Sequence, residues 1–116
     1  MAEQALGVFS DGELLLHCPR CGGEYLHHGR VDVYQRTGED ADRGMHVAVG
    51  GGSVAVYASA PMGASPSSRR DGLTVGFWCE GCSELSFDSG DYPHELCIVQ
   101  HKGQTFVSWR ERRRVP

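Results

Sequence analysis

The chain has 116 residues, the size of one domain that buries about two-thirds of the surface its unfolded form exposes. Its 40% hydrophobic and 22% charged residues are ordinary for a globular protein and exclude a largely disordered chain. No apolar run approaches the ~20 residues of a membrane span, and the start, Met1-Ala2-Glu3-Gln4, lacks the basic residues of a secretion signal. We therefore expect a cytoplasmic protein without a membrane segment.

The net charge of −4 is unevenly distributed along the chain. Residues 110–116 carry a net charge of +3, so the remaining residues carry −7. An acidic body is a poor electrostatic match for a phosphate backbone. Only the tail is therefore a candidate for contact with nucleic acid, through Arg110, Arg112, Arg113 and Arg114.

The first half of the chain predicts strands separated by glycine-rich turns. A short apolar strand over 13–17 leads to Cys18, and a longer strand over 25–35 has a break at Gly29-Arg30. After a polar turn, the β-branched runs 46–49 and 54–57 flank Gly50-Gly51-Gly52-Ser53. Two such runs around glycines predict a hairpin.

The second half begins with residues 58–71, which lack periodicity and are rich in small residues and proline, so we expect a mobile loop. A strand over 73–78 follows, and alternation over 83–87 favours another. Residues 95–101 and 104–110 flank Lys102-Gly103, which predicts a second hairpin.

These elements predict an all-β fold, either an antiparallel sheet or a small β-sandwich. We expect one domain over 1–116, with residues 1–12 and 110–116 flexible.

Four of the five cysteines form two Cys-x-x-Cys pairs, Cys18-Pro19-Arg20-Cys21 and Cys79-Glu80-Gly81-Cys82. Each pair offers two thiolates to one ion at a Zn–S distance of about 2.3 Å, and two pairs complete a tetrahedral shell. Four protein ligands leave no open position, so the predicted zinc is structural. Gly22-Gly23 and Gly81 permit the positive φ such turns use, and Cys97 is expected to be a small buried residue.

Two other chemistries of the cysteine pairs remain open. Four thiolates also suit a single iron, and Cys18 to Tyr25 has a rubredoxin-like Cys-x-x-Cys-Gly-x-x-Tyr spacing. Trp78-Cys79 begins like a thioredoxin redox motif, but that chemistry needs a helix after the first thiol, where alternation favours a strand. The pairs are separated by 57 intervening residues, so a metal would close a long loop.

The remaining histidines and aromatic residues give weaker signals. His17 and His27 are expected at the surface or behind the metal ligands, and His46, His94 and His101 are expected to be solvated. Trp78 and Trp109 are expected to fill the core beside the pairs. No His-x-Glu, Gly-x-Ser-x-Gly or P-loop motif occurs, so we do not expect an enzyme.

Three strings carry a resemblance to a known class: Leu16 to Gly22, Phe77 to Cys82 and Gln100 to Trp109. The chain resembles the zinc-ribbon class, and in particular small uncharacterised proteins of actinobacterial phages, from Leu15 to about Arg110. This resemblance implies a phage product made in a bacterial cytoplasm, and it implies no activity.

Two functions are consistent with these observations. The first is a protein-interaction module with structural zinc that docks on a host or phage protein. The second is a nucleic-acid-binding zinc ribbon that uses the arginine tail, with Arg69, Arg70 and Lys102 as further contacts. Exposed hairpin edges leave a dimer open.

Overall fold

The computed structural model describes residues 13–85 and 92–111, with no account of the side chains of residues 83–85. The expected flexibility of residues 1–12 and 112–116 concerns residues outside this part of the chain. Six strands and one short 3₁₀ helix (η1) lie in it: β1 Leu26–Arg36, β2 Arg43–Gly50, β3 Ser53–Pro61, β4 Gly72–Cys79, η1 Glu80–Leu85, β5 His94–His101 and β6 Gln104–Glu111.

The six strands form one open antiparallel sheet in the order β3-β2-β1-β4-β5-β6. The all-β prediction is confirmed, with a single sheet rather than a sandwich among the described residues. Because β4 pairs with β1 and not with β3, the β2–β3 hairpin lies on one side of β1 and the β5–β6 hairpin lies beyond β4. Strand β1 is therefore central, and its start lies beside the end of β4.

Both predicted hairpins are present with two-residue turns. Gly51 and Gly52 have φ of 59° and 79°, and Lys102 and Gly103 have φ of 53° and 78°. Positive φ at both central positions matches the right-handed twist of the flanking strands. The predicted break in β1 is also present, as a register shift against β4 between His28 and Arg30.

Two strand predictions near the cysteines were wrong. Residues 13–17 form no strand, because they have no sheet neighbour, and Leu15 is exposed. Residues 83–85 belong to η1, because the turn at Cys79–Cys82 bends the chain out of the sheet. The helix is a 3₁₀ segment with non-helical φ/ψ at Cys82. Residues 86 and 87 lie outside the described residues.

The segment 58–71 begins as strand, which corrects its expected start as a loop. β3 runs to Pro61 because Ala60 pairs with Gly44 and packs against Tyr34 and Met62. The remainder, 62–71, lies against the sheet. Arg36 donates to the carbonyl of Ser67 at 2.5 Å, and Arg110 donates to that of Ala64 at 2.7 Å. The mobility of this loop remains a prediction.

One face of the sheet carries two complete rows of apolar side chains across all six strands. Cross-strand partners share a face, so the register defines the rows directly. One row is Val54, Val49, Val31, Val75, Leu96 and Trp109, and the other is Val56, Val47, Val33, Leu73, Ile98 and Val107. We call these twelve residues the apolar face.

The opposite, polar face is the more deeply buried one. Asp32, Thr74 and Cys97 are cross-strand partners there and are at most 3% exposed. The cover comes from the loop 62–71 and from Tyr92. A Cβ at Gly72 would lie 2.9 Å from Pro66, and one at Gly76 would lie 2.8 Å from the Tyr92 Cβ. The polar face of the sheet is therefore covered at its centre, whereas the apolar face is open except at Trp109, which lies beside Pro19 and Arg20.

Candidate metal centre

The fold brings the four paired cysteines together at the end of β4. Cys18 and Cys21 lie in the loop before β1, Cys79 ends β4, and Cys82 lies in η1. Their Sγ atoms all lie within 4.8 Å of one another. The Sγ atoms of Cys18 and Cys82 are 3.9 Å apart, and those of Cys21 and Cys79 are 3.5 Å apart. Cys97 is buried on β5, outside this cluster, as expected.

The first pair is held in a tight turn by backbone hydrogen bonds. The Cys18 amide donates to the Gly23 carbonyl at 2.8 Å, and the Gly22 amide donates to the Cys18 carbonyl at 2.9 Å. Gly22 has φ of 79°, the positive value that the sequence predicts at this turn. The amides of Arg20 and Gly23 point to the sulfurs of Cys18 and Cys21, each at 3.4 Å. The turn therefore directs amide dipoles at sulfur, which favours thiolate.

Two glycines leave room for the sulfurs. A Cβ at Gly23 would lie 3.3 Å from the Cys21 Sγ, and one at Gly81 would lie 3.4 Å from the same atom. Such contacts are tighter than ordinary van der Waals distances. Glycine at both positions thus lets the two turns close around the four sulfurs.

The donor set fits a tetrahedral metal ion. With a metal–sulfur distance of about 2.3 Å, tetrahedral geometry places sulfurs about 3.8 Å apart. The 3.5 and 3.9 Å separations bracket that value. Cys18, Cys21, Cys79 and Cys82 are the residues that would hold the ion, and four thiolates suit either zinc or iron. Such an ion would supply a cross-link between the loop before β1 and the end of β4.

Burial and local hydrogen bonds push the thiol pKa values in opposite directions. Burial, together with the neighbouring thiols, raises the pKa of Cys82 to about 12, and burial also raises that of Cys79. The Gly23 amide is the main cause that lowers the pKa of Cys21, an exposed residue. A divalent cation in the cluster would favour the thiolate form of all four groups.

His94 is the site residue that the sequence interpretation missed. We expected a solvated side chain, but His94 is 0% exposed, and its Nε2 lies 3.8 Å from the Cys18 Sγ. Its Nδ1 is buried and has no hydrogen-bond partner among the described residues. The signal lay in the alternation of the strand, since His94 shares its parity with Leu96 and Ile98 and so faces the side of the sheet that holds the apolar rows.

The other histidines lie outside the cluster. His17 bonds through Nδ1 to the Gly22 carbonyl at 3.1 Å, behind the first pair. His27 stacks on Trp78 and pairs with Glu80 at 2.6 Å. His46, expected to be solvated, instead lies 2.8 Å from the buried carboxylate of Asp32, while His101 is exposed.

The two tryptophans lie beside the cysteine pairs and are partly buried. Trp78 precedes Cys79 and stacks on His27 with ring centroids 4.3 Å apart. Trp109 meets Phe77 edge-on at 5.6 Å. Their expected packing role is in line with these contacts.

Within the described residues, the basic side chains named for nucleic acid are mostly paired. Arg110 donates to the Glu95 carboxylate at 2.8 Å, in addition to its bond to the loop carbonyl. Arg69 and Arg70 pair with Glu39, and Arg69 also pairs with Asp40. Arg112, Arg113 and Arg114 lie outside the described residues.

Fold and site define an all-β chain with a tetrathiolate cluster at one end of a single antiparallel sheet. Comparison of the chain with protein-family models, curated proteins and solved structures finds no match. Within residues 13–85 and 92–111, no helix is long and apolar enough to span a membrane.

Proposed function

We propose that this chain is a zinc-binding β domain that acts as a protein-interaction module. The observation that carries the proposal is the open apolar face, which lies beside the tetrathiolate cluster. Zinc has a structural role in it, because the four cysteines supply a complete set of protein ligands. The proposal includes phage origin and a bacterial cytoplasm, which rest on the sequence resemblance, and it includes no catalysis.

An exposed apolar surface that extends across all six strands supports docking. Val49, Val54 and Val56 are 46%, 63% and 62% exposed, and the central residues of both rows are only partly buried. Apolar patches on monomeric proteins rarely exceed a few hundred Å², and larger ones mark interaction sites. Burial of apolar surface contributes about 25 cal/mol per Å², so a matching partner would gain considerable free energy.

The metal assignment is tested by elemental analysis of the purified protein. We expect one zinc per chain in the wild type and in Cys97→Ser, and loss of zinc in Cys82→Ser. Iron in place of zinc would instead appear in the same analysis and as visible absorption. Retention of metal by Cys82→Ser together with its loss from Cys97→Ser would contradict the ligand assignment.

The docking role is tested by affinity capture from bacterial lysate, with and without nuclease. The variant pair Val49→Glu/Val56→Glu places two charges on the apolar face at positions that are already exposed. The matched control Tyr57→Glu/Phe106→Glu adds the same charge to the opposite face, where these side chains are 52% and 48% exposed. We expect nuclease-resistant capture, either of a cellular protein or of untagged copies of this chain made in the same cells, that the first pair abolishes and the control retains.

The nucleic-acid alternative predicts a different result in the same experiment. Capture that disappears with nuclease, and duplex binding at physiological salt that is abolished by deletion of residues 112–116, would favour the arginine tail. Each lost duplex phosphate contact should then reduce the slope of log affinity against log salt by about 0.9. The pairing of Arg110 with Glu95 argues against this outcome for Arg110.

A further inference from the structure

We infer that a second copy of this chain covers the apolar face, so that two sheets pack face to face as a two-layer sandwich. This inference rests on the proposed function, because it names the partner of the same surface. A sheet with one apolar face is stable when that face is buried against a second layer. The described part of the chain supplies no such layer.

Most of the cover that the described residues provide lies on the other side of the sheet, whereas on the apolar side the Cys18–Cys21 turn covers one end, at His94 and beside Trp109. The loop 62–71 and Tyr92 cover the polar face, near Gly72 and Gly76. Extensive contacts between strands are confined to sheet neighbours. The two apolar rows are therefore left without a second layer in residues 13–85 and 92–111.

The apolar face is chemically complementary to itself. Neither row contains a charged side chain. Beyond the rows, Gln35 and Gln100 at one end are uncharged, and at the other end the charge of Glu111, at the corner of the sheet, is paired with Arg20 at 3.9 Å. A two-fold axis brings the same patch on each copy together, so any charge near the axis would meet its own image. A patch of valine, leucine and isoleucine carries no such penalty. The buried carboxylates Asp32 and Glu95 lie on the opposite face.

This side of the sheet has the area of a stable dimer interface, with the apolar face at its centre. Six strands spaced about 4.8 Å apart give a width of about 29 Å, and strands of eight residues at about 3.4 Å each give a length of about 27 Å, so the whole side is about 780 Å² per copy. The two apolar rows span about four residues, or about 14 Å, of that length, so the apolar face itself is about 400 Å². A standard interface buries about 800 Å² per partner. Rows of β-branched side chains on both sheets can interdigitate at the spacing of about 10 Å that packed sheets adopt.

The test is sedimentation analysis of the full-length, zinc-loaded protein over a wide range of concentration. We expect a species of twice the 12.7 kDa chain mass. Val49→Glu/Val56→Glu should raise the dimer Kd by about a hundredfold or more, because association would bury four carboxylates without partners. Tyr57→Glu/Phe106→Glu should leave the Kd unchanged. Circular dichroism and zinc content establish that both variants are folded.

Two outcomes would overturn the inference. A wild-type chain that remains a monomer at every concentration would show that no second copy covers the apolar face. A dimer that survives charges on the apolar face, but dissociates in the control variant, uses the opposite surface.

The same variants keep the two proposals apart. Suppose that the wild type is a monomer and that its nuclease-resistant capture is lost only in Val49→Glu/Val56→Glu. The inference of a second copy is then wrong, and the interaction module is supported. A monomeric wild type with no such capture contradicts both.

Discussion

Among single residues, His94 shows how the sheet and the cysteine cluster are joined. Its imidazole is fully buried at the start of β5, and burial lowers the pKa of His94 below its ordinary value, so the neutral form is favoured. The 3.8 Å separation of Nε2 from the Cys18 Sγ allows an N–H···S hydrogen bond. Donors to ligand sulfur orient metal ligands and tune affinity. His94 is therefore a positioning residue for Cys18.

The first prediction concerns this role of His94. His94→Ala should weaken metal retention by about 10- to 100-fold, the usual cost of losing a group that supports a ligand. Competition with a chromophoric chelator measures the affinity. His94→Gln, which keeps an N–H donor, should recover part of the loss, and His101→Ala on the exposed end of β5 is the control. Equal affinities for His94→Ala and wild type would contradict the role.

Asp32 is a second buried residue that depends on its partners. Its carboxylate lies in the covered face and accepts from Arg30 at 2.8 and 3.0 Å and from His46 at 2.8 Å. Burial opposes ionisation, but the bonds to Arg30 and His46 outweigh it and hold the pKa of Asp32 below its ordinary value. The ionised form is thus favoured by folding, and it stabilises the native state above the pKa of the unfolded carboxyl.

The second prediction follows from the sign of this shift. Asp32→Asn should reduce the free energy of unfolding by about 1–3 kcal/mol at neutral pH. The difference from wild type should persist down to about pH 4, the unfolded pKa, and shrink as the pH falls through the folded pKa. Urea unfolding at several pH values measures it, with exposed Asp42→Asn as the control. A difference that grows on acidification would be the opposite of this expectation.

At the scale of elements, the β1–β2 pairing depends on a close approach at Gly44. This buried glycine stands where the register of β2 against β3 shifts, between Gly44 and His46. A Cβ there would lie 2.1 Å from the Gln35 carbonyl oxygen and 2.7 Å from the Arg36 Cα. Both are backbone atoms, so a side chain at Gly44 would force β1 and β2 apart.

The third prediction tests that approach. Gly44→Ala should destabilise the protein by about 1–3 kcal/mol through strain between the two strands. Gly38→Ala is a matched control, because a Cβ at Gly38 would meet nothing within 4 Å and its φ is not positive. The control should be neutral or more stable by up to about 1 kcal/mol. Equal stability of the two variants in thermal unfolding would refute the steric account.

The elements that were predictable are those that local chemistry determines. The hairpin turns at Gly51-Gly52 and Lys102-Gly103 require positive φ, and the runs beside them are β-branched, so sequence and structure agree. The insertion of β4 beside β1 was not predictable, because it depends on pairing between distant residues. Burial of His94 follows from that pairing, whereas the cysteine cluster follows from ligand spacing within each pair.

At the scale of the whole molecule, the cysteine cluster closes one end of the sheet. Cys18, Cys79 and Cys82 form a buried cluster with Leu26 packed against it. The cluster joins the loop before β1 to the chain after β4, two strands that already pair with each other. A metal ion therefore does not have to close the long connection alone, and its free energy adds to that of the sheet.

The last prediction is that metal removal destabilises the whole fold. Apparent zinc binding free energies in zinc-finger peptides are about 10–16 kcal/mol, whereas typical domain stability is about 5–15 kcal/mol. Removal would also leave buried thiols such as Cys82 packed against one another without an ion to bind them. Chelation, or Cys18→Ser, should lower the melting temperature sharply or unfold the chain. Cys97→Ser, which changes a buried cysteine outside the cluster, should keep a melting temperature that still depends on zinc. A calorimetric trace unchanged by complete zinc removal would show that the sheet is stable alone and that the cluster serves another purpose.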